Sequence, residues 1–223
     1  MKVKQLILLY FVFATVYFIS GVFGFMLPFN VSKLCLLPVL AFISLYAEKK
    51  INLPVILILT FYFLADIALL LPREISLKYV LLFFGLGHLV FIKVCFDLLK
   101  NLQVKRLIYS ALPIIILWFV YYNYSLKDIF GDQLGNLYLP VLVYSITLSV
   151  FTIMSLVSYF NRDSKETLYP VLVSLSFLIA NVLLGINEYV TKLKIFEITT
   201  IFVQIVGYYF IMRFISEYDF KRK

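Results

Sequence analysis

The sequence predicts an all-α integral membrane protein, a single domain over residues 1–223 built as a polytopic bundle of about eight transmembrane helices. Three observations carry that expectation. Of the 223 residues, 63% are apolar and 14% charged, against roughly 45–50% and about 25% in a soluble domain. Clearing the polar breaks leaves apolar stretches at 5–27, 31–47, 52–72, 79–99, 107–124, 137–160, 168–190 and 195–216, each near the length of about 20 residues that a spanning helix needs. The basic residues divide unevenly between the two sides that this threading creates. The connections are short, which leaves little room for an extramembrane catalytic module.

The first stretch follows Lys2 and Lys4 as a secretion signal would, but it runs about 23 residues, where the apolar core of a signal has roughly 7–15. It reads as a retained span. The second carries Lys33 and Pro38 inside it. The third follows Asn52-Leu53-Pro54, with proline in the first turn, and stops at Pro72-Arg73-Glu74. The fourth ends in a basic loop with Lys100, Lys105 and Arg106. Pro113, Pro140 and Pro170 stand near the starts of the fifth, sixth and seventh spans, where a missing amide donor costs least. Trp118, Tyr121, Tyr122 and Tyr124 crowd the far end of the fifth, as an interfacial aromatic belt does. Beyond them Asp128-Ile129-Phe130-Gly131-Asp132 reads as a turn in a glycine-containing loop. The eighth span holds Gln204 and Arg213.

Threaded through eight spans, one side receives 12 basic residues: Lys2, Lys4, Lys49, Lys50, Lys100, Lys105, Arg106, Arg162, Lys165, Lys221, Arg222 and Lys223. The other receives five, namely Arg73, Lys78, Lys127, Lys192 and Lys194, while Lys33, Lys93 and Arg213 fall within spans. Cytoplasmic loops carry the excess of Lys and Arg, so both termini are expected in the cytoplasm. The net charge of +8 then reflects orientation and contact with anionic lipid rather than nucleic-acid binding. Richness in Lys, Ile, Phe and Asn together with minimal loops points to a bacterial inner membrane.

A faint repeat links the two halves. Leu64-Ala65-Asp66-Ile67-Ala68-Leu69-Leu70 in the third span recurs 115 residues later as Ile179-Ala180-Asn181-Val182-Leu183-Leu184-Gly185 in the seventh. A four-plus-four parallel repeat places these segments at equal depth and in equal direction, so Asp66 and Asn181 are expected to approach one another.

Polar side chains inside spans mark the candidate site, because an Asp at a helix centre costs about 2.5–3.5 kcal/mol on insertion scales. Asp66 stands about six residues from the outer end of the third stretch, hence roughly 9 Å deep. It is a candidate proton donor, or else a hydrogen-bonding link between helices. His88, the single histidine, is a catalytic candidate or a packing residue. With Tyr144, Asn181 and Gln204 these make five polar side chains from five spans, all in the outer half, and their convergence favours a pocket. Lys33, Asn187, Glu188 and Glu197 are expected near the outer mouth, beside Arg73 and Lys78. A cationic mouth over a buried acid suits an amphiphile with a phosphate head and an apolar tail; for Lys33 and Lys78 the alternative is interfacial snorkelling.

Several chemistries are excluded. There is no G-x-S-x-G elbow, and one histidine cannot build a multi-histidine metal site. Cys35 and Cys95 both fall in apolar spans and supply no CxxC metal knuckle or disulfide framework. No lysine lies within the seventh span, which argues against a retinal Schiff base. No cofactor or metal is expected.

The polar residues also carry a resemblance. A Lys and a Pro in the second span (Lys33-Leu34-Cys35-Leu36-Leu37-Pro38) and an Asp followed by aliphatics in the third (Ala65-Asp66-Ile67-Ala68-Leu69-Leu70) stand in the order of a known pattern. So do a Gly- and Phe-rich run ending in His (Phe83-Phe84-Gly85-Leu86-Gly87-His88), Tyr144 with Met154 downstream, the run Ala180-Asn181-Val182-Leu183-Leu184-Gly185-Ile186-Asn187-Glu188-Tyr189, and Gln204 in the last span. In these features the chain resembles the YhhN family of eight-span membrane proteins, whose animal members include lysoplasmalogenases. The family's second Asp is Asn181 here.

What the resemblance implies is hydrolysis of the vinyl-ether bond of a lysoplasmalogen to a fatty aldehyde and a glycerophospho-head group. Asp66, His88 and Asn181 would then form the catalytic set: Asp66 as donor, His88 or Tyr144 orienting it or the water, and Asn181 at best holding that water. Lys33, Tyr144, Asn187 and Gln204 would meet the lysophospholipid or a similar amphiphilic lipid. Because an amide cannot exchange a proton as a carboxylate does, a non-catalytic lipid-binding or transport protein using the same pocket is the competing expectation.

Overall fold

A computed structural model describes residues 3–48, 53–99 and 103–218. Among these the secondary structure is helical throughout: α1 Val3–Phe23, α2 Met26–Glu48, α3 Leu53–Ala68, α4 Arg73–Leu98, α5 Gln103–Leu134, a short 3₁₀ turn Gly135–Leu137, α6 Tyr138–Asn161, α7 Lys165–Tyr189 and α8 Lys194–Glu217. Six of the eight helices (α1, α2, α4, α6, α7 and α8) are long and apolar enough to cross a bilayer. The protein is a polytopic integral membrane helix bundle.

Helices α3 and α5 depart from the expected spans in ways that change how a residue or segment is placed. Helix α3 ends at Ala68 rather than 72, and its 16 residues rise about 24 Å, short of the roughly 30 Å hydrocarbon core. Leu70 and Leu71 leave the helix through bonds to the carbonyls of Ile67 and Ala68, so Asp66 occupies the last turn of α3 instead of lying six residues inside it. Helix α5 runs on from the expected 107–124 to Leu134. The stretch from Asp128 to Asp132 is therefore helical, not a turn: one glycine lowers helix propensity by about 1 kcal/mol, which a helix of this length tolerates.

The α1–α2 connection is the tightest in the fold. Gly24 takes a left-handed backbone, φ 77°, which a residue without Cβ adopts freely, and α2 begins two residues later at Met26. That start lies five residues ahead of the expected 31 and carries Lys33 two turns into the helix.

The packing closes a ring. In order, α1, α2, α3, α4, α6, α7 and α8 each pack on the next, and α8 returns to α1, while α5 stands outside against α6. Under the four-plus-four repeat, the α2–α8 contact becomes α6–α4 and the α2–α3 contact becomes α6–α7, and all four interfaces are present. The core inside the ring is aromatic, with Tyr10, Tyr17, Tyr62, Tyr208, Phe91, Phe151 and Phe214 fully buried. Much of the outer surface is apolar, including Leu8, Phe11, Leu117, Tyr121, Val143 and Phe160, as a lipid-facing bundle requires. Of the basic residues that set the expected orientation, Lys2, Lys49, Lys50, Lys100, Lys221, Arg222 and Lys223 lie outside the described residues.

Candidate active site

Among the described residues Asp66 is the most buried carboxylate, 1% exposed, and two groups hold it. Tyr208 of α8 donates its hydroxyl to Oδ2 at 2.7 Å, and Lys33 Nζ of α2 stands 3.5 Å from Oδ1. Lys33 is itself buried, with its ammonium 5.8 Å from the centre of the Tyr17 ring. It is thus not a residue of the outer mouth. Begun at Met26, α2 points the lysine inward, where a counter-charge offsets the cost of leaving water. Tyr17 of α1 donates to Gln204 Oε1 at 3.0 Å, so Gln204 joins this first group through α1. Asp66 Oδ1 makes no hydrogen bond, the one such buried side-chain nitrogen or oxygen among the described residues.

A second group adjoins it. His88, fully buried in α4, faces Tyr62 Oη from Nδ1 at 2.8 Å and Tyr144 Oη from Nε2 at 3.3 Å. Asn181 Nδ2 donates to Tyr144 Oη at 2.9 Å and to the carbonyl of Phe177 at 2.6 Å. The histidine ring is walled by Phe151, stacked at 5.5 Å, and by Phe177, edge-on at 5.3 Å. Gly87 makes the approach of α3 to α4 possible: a Cβ there would run into the Tyr62 ring, which is fully buried and held by the histidine.

Five of the seven residues expected from the sequence therefore fall in two adjoining groups, and a sixth, Gln204, attaches by way of Tyr17. Asp66 and Asn181 are not bonded to each other. Asp66 belongs with Lys33 and Tyr208, Asn181 with Tyr144 and His88. Tyr62 lies one helical turn before Asp66 and reaches His88, while Phe177 packs on Tyr62, His88 and Tyr208. The repeat remains visible in the chemistry: the α2–α3 pair Lys33–Asp66 has its counterpart in the α6–α7 pair Tyr144–Asn181. Asn187 stands apart, its Oδ1 accepting from the Leu193 amide at 2.9 Å and closing the turn between α7 and α8. Glu188, Glu197 and Lys78 are exposed.

Sequence reasoning passed over Tyr17, Tyr62 and Tyr208. Tyr62 is four residues before Asp66 and Tyr208 four after Gln204, so the i,i+4 rule for neighbours on a helix face would have found both. Tyr17 has no candidate site residue one turn away in α1 and leaves no such signal.

A helical membrane bundle with a buried acid, lysine and histidine and a half-buried amide beside them defines the class. Within it, the chain belongs to the YhhN family, whose model matches residues 28–215 and so takes in every residue of both groups except Tyr17. No curated protein and no solved structure matches the chain.

Proposed function

We propose that this protein is a membrane-embedded hydrolase that cleaves the vinyl-ether bond of lysoplasmalogens, releasing a fatty aldehyde and a glycerophospho-head group. The observation that carries the reading is the Lys33–Asp66 pair, a proton donor and acceptor 3.5 Å apart with one oxygen, Asp66 Oδ1, unengaged by any hydrogen bond. Vinyl-ether cleavage begins with protonation of the β-carbon, which turns the C=C–O unit into an oxocarbenium ion; water adds to that cation, and the hemiacetal collapses to aldehyde and alcohol. In the reaction a proton passes from Lys33 to Asp66 Oδ1, which delivers it to carbon. The Asp66 carboxylate left behind stabilises the cation, and Lys33 recovers a proton from the attacking water. Proton balance is kept and no cofactor enters.

The proposed setting is the inner membrane of a bacterium with both termini in the cytoplasm; the 12-to-five division of basic residues supports the orientation. A cysteine introduced at Lys165 should be labelled from the cytoplasmic side only; labelling from outside reverses the topology.

Asn181 supports a second reading, a lipid-binding or transport protein using the same centre, because a second carboxylate is replaced by an amide that carries no exchangeable acid. Purified protein in detergent, given a lysoplasmalogen, distinguishes the two. Aldehyde release is expected; tight lipid binding without release by wild type or Asn181→Asp supports the second reading and overturns the first. Release gained only with Asn181→Asp identifies an enzyme that has lost its second acid.

A further inference from the structure

We propose that Phe130 of α5 plugs a sideways entry to the centre, a groove on α7 beside Gly185, and that the chain of a single-chain amphiphile displaces its ring. In the second group His88, Tyr62 and Tyr144 are buried and Asn181 is half-buried, so this group meets its surroundings at Asn181. Residues 181, 185 and 189 lie one turn apart on one face of α7, and Asn181 to Gly185 is a rise of about 6 Å. One side chain covers the two positions beyond Asn181. The Phe130 ring meets the Tyr189 ring edge-on at 5.7 Å. Beside Gly185 it stands alone: a Cβ there would lie 3.5 and 3.9 Å from two Phe130 ring atoms, and within 4 Å the described residues supply no other neighbour beyond its own helix backbone. Without a side chain at 185, the space between α5 and α7 is a groove that the ring fills.

The groove fixes the chemistry of its occupant. Its rim is apolar, since Ile129 of α5, next to Phe130, and Val182 of α7, one turn from Gly185, are 49% and 43% exposed, and it opens on the lipid-facing surface. What replaces a phenyl ring between apolar walls is hydrocarbon. One alkyl chain is no wider than that ring; two chains side by side are. The occupant is therefore a lipid with one chain, such as a lysophospholipid, and a diacyl lipid is excluded. With the chain segment nearest the glycerol in the place of the ring, the linkage between chain and glycerol comes to the level of Asn181, and the rest of the chain stays between α5 and α7 in the bilayer. This inference rests on the reading that the centre receives a lipid and adds its route and its number of chains.

The plug sits on the helix best placed to move. Gly135 joins α5 to α6 with a left-handed backbone, φ 47°, and nothing among the described residues lies within 4 Å of where its Cβ would be. It follows Gly24 by 111 residues, as Tyr144 follows Lys33, which makes α5 the counterpart of α1 in the repeat. The two are held differently. Helix α1 packs on both α2 and α8 and donates from Tyr10 to the Ile205 carbonyl and from Tyr17 to Gln204. Helix α5 stands outside the ring against α6, with Trp118 Nε1 donating to Ser149 Oγ at 3.3 Å. A helix held along one neighbour and turning on an unobstructed glycine absorbs a swing at that hinge, and the swing takes Phe130 off Gly185.

Photolabelling of the detergent-purified protein tests this, with a lysophosphatidylcholine that carries a diazirine on its chain near the glycerol and mass spectrometry of the labelled peptides. Wild type is expected to be labelled within 126–134 of α5 and 181–189 of α7, with unlabelled lysophosphatidylcholine competing and diacyl phosphatidylcholine not. Gly185→Leu fills the groove and should lower that labelling by about tenfold or more, since overpacking a filled space excludes the chain. Phe130→Ala, which unplugs the groove, should raise it. Labelling of these segments that survives a folded Gly185→Leu, is unchanged in Phe130→Ala, or is competed equally by the diacyl lipid overturns the proposal. So does wild-type label that is absent from them or spread evenly over the lipid-facing helices. Should Gly185→Leu fail to fold, Phe130→Ala and the competition decide. Lysophosphatidylcholine has an ester in place of the vinyl ether, so the labelling reads entry without the proposed cleavage, and this inference and the hydrolase activity fail separately.

Discussion

Asp66→Asn is expected to lower aldehyde release from a lysoplasmalogen by about 10²–10⁴-fold, the contribution of a positioned proton donor. The substitution preserves shape and keeps an oxygen to accept the 2.7 Å bond from Tyr208, but it removes the carboxyl group paired with Lys33. The loss should appear in kcat more than in KM, since the proton moves only as the transition state forms. The measurement is aldehyde formation by detergent-purified wild type and variant, with helicity and thermal unfolding compared to confirm equal folding. Activity that survives Asp66→Asn sinks the mechanism built on this acid.

Lys33→Met is expected to destabilise the fold by about 3–5 kcal/mol, because removing one partner of a buried pair leaves the other uncompensated. Asp66 has one hydrogen bond, from Tyr208, and a bare Oδ1, too little to replace an ammonium. The paired change Lys33→Met with Asp66→Leu should recover most of that stability, since apolar replacement of both members of a buried ion pair is often neutral or better. Unfolding free energies from SDS titration in mixed micelles, taken for both singles and the double, measure the coupling. Single and double variants of equal stability would show that the two side chains do not interact as a pair.

Much of the candidate site was legible because a bilayer makes polar residues conspicuous. Asp66, His88 and Asn181 stand out in sequence for the same reason that they end up inside the ring, namely that hydrocarbon excludes them. The boundaries were less legible. The apolar run to Leu71 looks continuous with α3, yet the backbone turns after Ala68, because exposed leucines in a connection cost little beside a membrane. The Asp128–Asp132 stretch looked like a turn for its glycine, but 32 residues of helix carry it.

By itself the sequence determined the class: composition, span lengths and periodic polar breaks follow from solvation alone and dictate a helical membrane bundle. It also determined which chemistry was available, through one histidine, one deep aspartate and an amide where the repeat would match it. Only the tertiary structure decided the pairings. That Lys33 belongs to Asp66 and not to the mouth, that Tyr62, Tyr17 and Tyr208 complete the centre, and that Asn181 answers to Tyr144 rather than to Asp66, depend on which helices adjoin in the ring. Such contacts join residues up to 187 positions apart, and helix adjacency is set by side-chain packing across the whole bundle, which no local pattern of hydropathy encodes.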